Sequence, residues 1–176
     1  MVDTRLPHVA YPDMVCYHVG LVPLEALYEQ GIRAILVDLD NTLALRGTDD
    51  VTPQARSFIA RAKSLGFSVA IVSNIVCGKR RERRVRRIAG SLGVPYVCAR
   101  FPWLKPHRLP YIQALFALDF GVTRANQVIV VGDQLFTDVK GAAKLGLRTI
   151  LVKPLGKDSF FTWPKRVVQN LVMRIS

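Results

Sequence analysis

Two aspartates at the end of an apolar run constrain the fold of this chain more than any other feature. Residues 34–37 are Ala, Ile, Leu and Val, and Asp38 and Asp40 follow directly. A solidly apolar run of this length is typical of a strand covered on both faces in a parallel sheet. Side chains two residues apart on an extended chain point to the same side, so both carboxylates should enter one site. Because like charges repel there, the pair indicates a cation or an electrophile between them.

The rest of the chain alternates between β-type runs and helical spacing. We expect five strands, at 34–39, 67–72, 94–97, 128–131 and 148–152. Apolar periodicity predicts helices near 53–65, 85–92, 106–118 and 137–145, with Thr52 as the first N-cap and Gly66 and Gly93 as stops. This alternation predicts an α/β fold of three layers, a five-stranded parallel sheet between helices. Ligands in such folds bind beyond the carboxyl ends of the strands.

Polar residues follow two further predicted strands, and a lysine precedes the third predicted helix. Ser73 and Asn74 follow the second strand, while Asp133 and Asp138 follow the fourth. Lys105 lies at the expected start of the third helix, where a cation opposes the helix dipole, so we expect an anion beside it.

The four aspartates cannot share one site without a counter-ion. Two carboxylates about 4 Å apart repel by roughly 4 kcal/mol at an effective dielectric of 20. Mg²⁺ fits, since it prefers oxygen ligands and commonly binds one or two carboxylates together with a phosphate. The pattern therefore predicts phosphoryl transfer, in which Asp38 attacks phosphorus and Asp40 handles the proton of the leaving group and then of water.

These motifs, in this order, resemble those of the haloacid dehalogenase (HAD) superfamily of phosphatases. The resemblance rests on Asp-x-Asp-x-Thr at 38–42, Ser73, Lys105 and Gly-Asp-x-x-x-x-Asp at 132–138. Residues 31–43 and 131–139 look like the YqeG-type branch of subfamily IIIA, which is similar to mitochondrial and plastid phosphatidylglycerophosphate phosphatases.

The resemblance implies a HAD-like Rossmannoid fold and a role for each motif residue. Asp38 would be the nucleophile and Asp40 the acid/base, while Ser73 would bind a phosphoryl oxygen and Lys105 would bridge nucleophile and phosphate. Thr42 and Asn74 would complete the substrate site. Mg²⁺ would be held by Asp133, Asp38 and the Asp40 carbonyl, with support from Asp138.

The length of 176 residues suits one domain. We expect a core over about 31–153, with residues 1–30 and a C-terminal helix over about 160–176 as appendages. Neither 41–52 nor 75–104 has room for a separate cap domain, so the site should be open and essentially capless. An open site suits a large or surface-bound phosphate ester.

The net charge of +12 is unevenly distributed, with an excess of basic residues in 79–108 and in 140–176 and an excess of acidic residues in 1–60. Seven of the nine residues in 79–87 are basic. They can form a solvated helix face, or they can bind an anionic partner such as a membrane leaflet, where each contributes about 1 kcal/mol. Residues 163–175 have an apolar face that can dock on the sheet or lie at a membrane interface.

The leading hypothesis is a Mg²⁺-dependent phosphomonoesterase that acts through an aspartyl-phosphate on phosphatidylglycerophosphate, in phospholipid biosynthesis. One alternative is a phosphatase for nucleotide or nucleic-acid phosphates, although residues 79–87 lack aromatic side chains for base stacking. Another is a non-catalytic RNA- or ribosome-associated module. Three cysteines without a close pair, and no secretory or spanning segment, lead us to expect a cytoplasmic protein, peripheral at the inner membrane surface. The sequence leaves the oligomeric state open.

Overall fold

A computed structural model describes residues 11–75 and 78–156, which form a parallel sheet between two layers of helices. The strands are β1 Met14–Cys16, β2 Ala34–Val37, β3 Ser68–Asn74, β4 Tyr96–Ala99, β5 Val128–Gly132 and β6 Arg148–Val152. Their order across the sheet is β1-β6-β5-β2-β3-β4. The chain leaves β2 toward β3 on one side and later returns to β5 on the other. The carboxyl ends of β2, β3 and β5 therefore meet where strand order reverses, the usual place for a ligand site.

The helices are α1 Leu24–Glu29, α2 Pro53–Ser64, α3 Lys79–Leu92, α4 Leu109–Ala117 and α5 Lys140–Ala143. Short 3₁₀ segments cover Val19–Leu21 and Val122–Gln127, and a π-helical turn over Leu135–Val139 leads into α5. Among the described residues, no helix combines the length and the hydropathy needed to cross a bilayer.

The five predicted strands are confirmed, but the total of five is wrong. The sheet has a sixth strand, β1, which pairs in parallel with β6, so that Met14 lies opposite Ile150 and Cys16 opposite Val152. Three residues are too few to show the alternation by which a strand is recognised in a sequence. This segment is a strand because it pairs with the edge of β6, and its own composition does not indicate one.

The predicted helix ends agree with the structure where a capping residue sets them. The Thr52 side chain accepts a hydrogen bond from the Ala55 N–H at 3.2 Å at the start of α2. Helix α3 ends at Leu92 and is capped by Gly93, whose φ of +62° suits glycine. Without such a signal, α4 begins three residues later than expected, and the fourth predicted helix is split between the π-helical turn and α5.

Both faces of the sheet are buried, which confirms the three-layer arrangement. Alternate residues of β2 face opposite sides: Ile35 and Val37 pack with side chains of α2 and α3, whereas Ala34 and Leu36 pack with Tyr111 and other residues of α4. Because β2 is covered on both faces, the first polar residue after it lies at the edge of the core. That residue is Asp38.

Candidate active site

Strand pairing brings the acidic motifs together. Val37 of β2 lies opposite Val131 of β5, and the Asp38 N–H donates to the Val131 carbonyl at 2.9 Å. Asp133 follows β5 directly, so it reaches the same edge of the sheet as Asp38. Both side chains are buried, as are those of Lys105 and Asp138.

Lys105 connects two of these carboxylates to the backbone. Its Nζ donates to Asp38 Oδ1 at 2.5 Å, to Asp138 Oδ1 at 2.7 Å and to the Val72 carbonyl at 2.8 Å. An ammonium group has three donors, and all three are used. Burial lowers the pKa of Lys105, but the charges of Asp138 and Asp38 more than offset it, so the pKa is raised and the side chain stays protonated.

The predicted position of Lys105 at the start of a helix is wrong. Helix α4 begins four residues later, at Leu109. The Asn74 side chain instead makes two hydrogen bonds to the backbone of the lysine. The Lys105 N–H donates to Asn74 Oδ1 at 2.8 Å, and Asn74 Nδ2 donates to the Lys105 carbonyl at 3.3 Å. The polar end of β3, and not a helix terminus, therefore places this cation. The anions expected beside it are the carboxylates of Asp38 and Asp138.

The environment of Asp38 raises its pKa above that of an ordinary carboxyl group. Burial is the largest cause, because it penalises the charged form. Lys105 opposes this effect, while the neighbouring charges of Asp138 and Asp133 add to it. Nearby positive charge would therefore favour the ionised carboxylate.

Three carboxylates form a group suited to a divalent cation. Asp38, Asp133 and Asp138 each offer an oxygen, and these oxygens lie within 4.8 Å of one another. Three carboxylates against the single charge of Lys105 leave an excess of negative charge in a buried place. Hard oxygen donors and excess negative charge suit Mg²⁺. The Asp40 side chain is not part of this group.

Close packing against Gly132 sets the position of Asp138. A Cβ on Gly132 would lie 2.5 Å from Asp138 Cγ, so only glycine permits this approach. Asp138 Oδ2 accepts from the Gln134 N–H at 3.1 Å, and the Tyr111 hydroxyl donates to the Thr137 carbonyl at 2.9 Å. Asp138 therefore supports the π-helical turn and also binds Lys105. No pattern in the sequence indicates this role of Tyr111.

Of the remaining predicted residues, Ser73 and Asn74 line the pocket that borders Asp38, and Thr42 does not. Ser73, at the end of β3, is buried and lines the same pocket as Asp38. Thr42 is also buried, and its Oγ1 has no hydrogen-bond partner among the described residues. Asn74 lines the pocket as well, with its amide engaged by the Lys105 backbone.

Asp40 binds a residue that the sequence analysis did not single out. Arg84 of α3 donates from Nη1 to Asp40 Oδ1 at 2.7 Å and from Nη2 to the Leu45 carbonyl at 3.2 Å, and its Nε donates to the Thr48 carbonyl. Its side chain is only 12% exposed. In the sequence, Arg84 is one of seven basic residues in nine, and nothing distinguishes it. Only the packing of α3 beside residues 45–49 selects it.

One pocket of about 790 Å³ is lined by five of the predicted site residues, Asp38, Asp40, Ser73, Asn74 and Lys105. Asp38, Ser73 and Lys105 lie at the strand ends. The rest of the lining comes from α3 and from the loop after β2: Arg80, Arg81, Arg84 and Arg87 of the helix, and Arg46, Gly47, Asp49 and Asp50 of the loop. A buried acidic group beside a cationic rim can bind a phosphate ester and present a carboxylate oxygen to it.

Comparison with known proteins gives consistent results. Residues 3–156 match the family model described as mitochondrial PGP (phosphatidylglycerophosphate) phosphatase. The chain is 31% identical over 163 residues to the probable phosphatase YqeG of Bacillus subtilis (strain 168), covering 92% of this chain and 88% of that protein. It is 26% identical over 156 residues to phosphatidylglycerophosphate phosphatase 1, chloroplastic/mitochondrial, of Arabidopsis thaliana, covering 86% of this chain but only 42% of that relative.

A solved structure shares the fold. The crystal structure of a HAD phosphatase from Thermococcus onnurineus superposes with a TM-score of 0.54 at 13% identity, over 77% of this chain and 98% of that one. The predicted HAD-like parallel α/β fold and the predicted resemblance are thus confirmed. The protein is a HAD-type phosphatase and belongs to the mitochondrial PGP phosphatase family.

Proposed function

We propose that the protein hydrolyses phosphatidylglycerophosphate by a Mg²⁺-dependent route through an aspartyl-phosphate on Asp38. One observation carries the mechanism: Asp38, a buried carboxylate at the border of the pocket, is hydrogen-bonded to the protonated Lys105. This contact favours the ionised form of Asp38 and so offsets part of the cost of burial.

In the proposed first half-reaction, a carboxylate oxygen of Asp38 attacks phosphorus and the bond from phosphorus to the lipid alkoxide breaks. Asp40, two residues along the chain, donates the proton that the alkoxide takes up. In the second half, Asp40 accepts a proton from water as the water oxygen attacks phosphorus. Inorganic phosphate leaves and Asp38 is restored. Arg84 would hold the Asp40 carboxylate in place through both halves.

Asp38, Asp133 and Asp138, with the Asp40 carbonyl, would hold Mg²⁺. When bound, the ion would neutralise charge on the transferred phosphoryl oxygens. The positive charge of Lys105 would attract the same oxygens, and the hydroxyls of Ser73 and Thr42 would donate to them, with Asn74 fixing the lysine.

The lipid substrate rests on two observations. The name of the Arabidopsis relative states that activity, and a pocket of about 790 Å³ with a cationic rim suits an ester that carries more than one negative charge. We further propose a single capless domain with an open site. It would be a cytoplasmic protein that acts on lipid at the inner membrane surface, with residues 79–87 near the anionic leaflet. The expected C-terminal helix lies outside the described residues.

The test measures release of inorganic phosphate from phosphatidylglycerophosphate, from soluble sugar phosphates and from nucleotides, with Mg²⁺ and with a chelator. We expect the lipid to be preferred and the chelator to abolish turnover. Asp38→Asn should lower kcat by at least about 10⁴-fold. Asp119→Asn, the same change outside the pocket, should leave it unaltered. A wide preference for soluble esters would exclude the lipid, and normal turnover by Asp38→Asn would exclude the covalent route.

A further inference from the structure

The arginines of α3 are divided between two different environments. Arg80, Arg84 and Arg87 recur at spacings of four and three, so they share one face of the helix, and Arg81 also lines the pocket. Arg86 faces away, since it donates to the Tyr96 hydroxyl at 3.2 Å. Lys79 and Arg83 do not line the pocket. The cationic surface of α3 is therefore not uniform, because four of its seven cations face the active site.

Within the pocket, two of these arginines are already paired. Arg84 binds Asp40 and the loop backbone, and Arg87 forms an ion pair with Asp49. These contacts attach the loop after β2 to α3 and use the charge of both arginines. They also neutralise two of the acidic groups that line the pocket outside the Asp38 cluster.

Three other arginines of the lining have no such partner. The guanidinium groups of Arg46, Arg80 and Arg81 make no hydrogen bond or ion pair with another residue among 11–75 and 78–156. Asp50 is the remaining acid of the lining. Neighbouring cations that repel one another within a pocket are stabilised by an anion between them. Guanidinium groups suit a phosphate oxygen pair in particular, since they donate two parallel hydrogen bonds.

We propose that Arg80 and Arg81, with Arg46 of the loop after β2, bind a second phosphoryl group of the substrate, a phosphodiester, while the terminal phosphomonoester lies at Asp38. This inference rests on the proposed function and specifies its substrate class. The substrate is an ester that carries both a phosphomonoester and an internal phosphodiester, and a simple phosphomonoester fills only the inner end of the pocket. The recognition lies in the headgroup, so it does not require a membrane.

The test uses two soluble probes and the full chain. Glycerophosphoglycerol phosphate, the deacylated headgroup, has both groups, whereas glycerol 3-phosphate has only the monoester. Wild-type protein should favour the headgroup by about tenfold or more in kcat/KM. In the double variant Arg80→Ala/Arg81→Ala this ratio should fall about tenfold, mainly through KM. The matched control Lys79→Ala/Arg83→Ala removes the same charge from the same helix outside the pocket and should keep the wild-type ratio.

Each other outcome overturns a defined part of the inference. Equal turnover of both probes by wild type would exclude the second phosphoryl site and leave the phosphatase intact. Equal loss of the ratio in both double variants would show an effect of overall charge only. If both double variants lose activity on phosphatidylglycerophosphate in anionic vesicles but keep the headgroup ratio, the arginines bind leaflet lipids instead. If wild type turns over neither the probes nor phosphatidylglycerophosphate, the proposed function itself is excluded. If it turns over the lipid alone, recognition through the headgroup is excluded. Thermal midpoints of all variants establish that each is folded.

Discussion

The inner end of the pocket holds charges that are almost wholly buried, whereas its rim holds arginines that are largely exposed. Lys105 and Asp38 have side chains 3% and 7% exposed, while Arg87 and Asp49 on the rim are 67% and 44% exposed. A buried charge without a partner is strongly destabilising, so each inner group has fixed contacts. An exposed charge costs little when unpaired. Unpaired cations can therefore remain at the rim, where a ligand can bind them, but they cannot remain at the inner end.

Removing the inner cation should have the largest effect on stability. Lys105→Met leaves Asp38 and Asp138 buried without their partner, so the free energy of unfolding without Mg²⁺ should fall by about 3–5 kcal/mol. Arg61→Met, which breaks an exposed ion pair with Glu25, should lower the free energy of unfolding by less than about 1 kcal/mol. Urea denaturation measures both, and equal losses would contradict the contrast between buried and exposed charge.

Mg²⁺ should stabilise the protein more at high pH than at low pH. The pKa of Asp38 is raised in the folded state, so without metal its ionisation destabilises the fold as pH rises above the ordinary carboxyl range. Binding requires ionised carboxylates. At about pH 8, Mg²⁺ at 100 times its Kd should raise the free energy of unfolding by about 2.7 kcal/mol. At about pH 5.5 the same Mg²⁺ concentration should raise it clearly less. Calorimetry measures this, and an equal gain at both pH values, or an undiminished gain in Asp133→Asn, would contradict it.

Glycine substitutions separate close packing in the inner site from open space on α3. Gly132→Ala would force a Cβ against Asp138 and should destabilise the protein by about 1–3 kcal/mol. Gly90 in α3 has no atom within 4 Å of such a Cβ, so Gly90→Ala should stabilise by about 0.5–1 kcal/mol through helix propensity. Thermal unfolding should show shifts of opposite sign, and shifts of the same sign would refute this account.

Arg84 lies between the two regions, and its removal should have the smallest effect. Arg84→Met frees the Asp40 carboxylate and the loop carbonyls, so kcat should fall about tenfold with little change in KM. Arg83→Met changes the neighbouring arginine outside the pocket, and its kcat should stay within about twofold of the wild-type value. Steady-state kinetics with phosphatidylglycerophosphate tests both. A change confined to KM would place Arg84 in substrate binding and not in the positioning of Asp40.

The sequence predicted the elements that carry a strong local signal. Strand β6 has the predicted bounds because four of its five residues are apolar or β-branched, and α2 begins at its predicted cap. The end of β2 at a pair of aspartates predicted where the acidic group would lie. Strand β1 was not predictable, because only pairing with β6 makes this segment a strand. The placement of Lys105 was not predictable either, because the Asn74 side chain positions it.

The sequence by itself determined which side chains follow the strands at one edge of the sheet, and their types suit attack on phosphorus, cation binding and pairing with phosphate. The tertiary structure alone decided which of seven neighbouring cations line the pocket. Helix α3 turns Arg80, Arg81, Arg84 and Arg87 toward the pocket and Arg86 toward Tyr96. A charge run has the same composition whichever way its helix faces. The direction is set by the burial of Val85, Ile88 and Ala89 against the core, together with contacts distant in the chain.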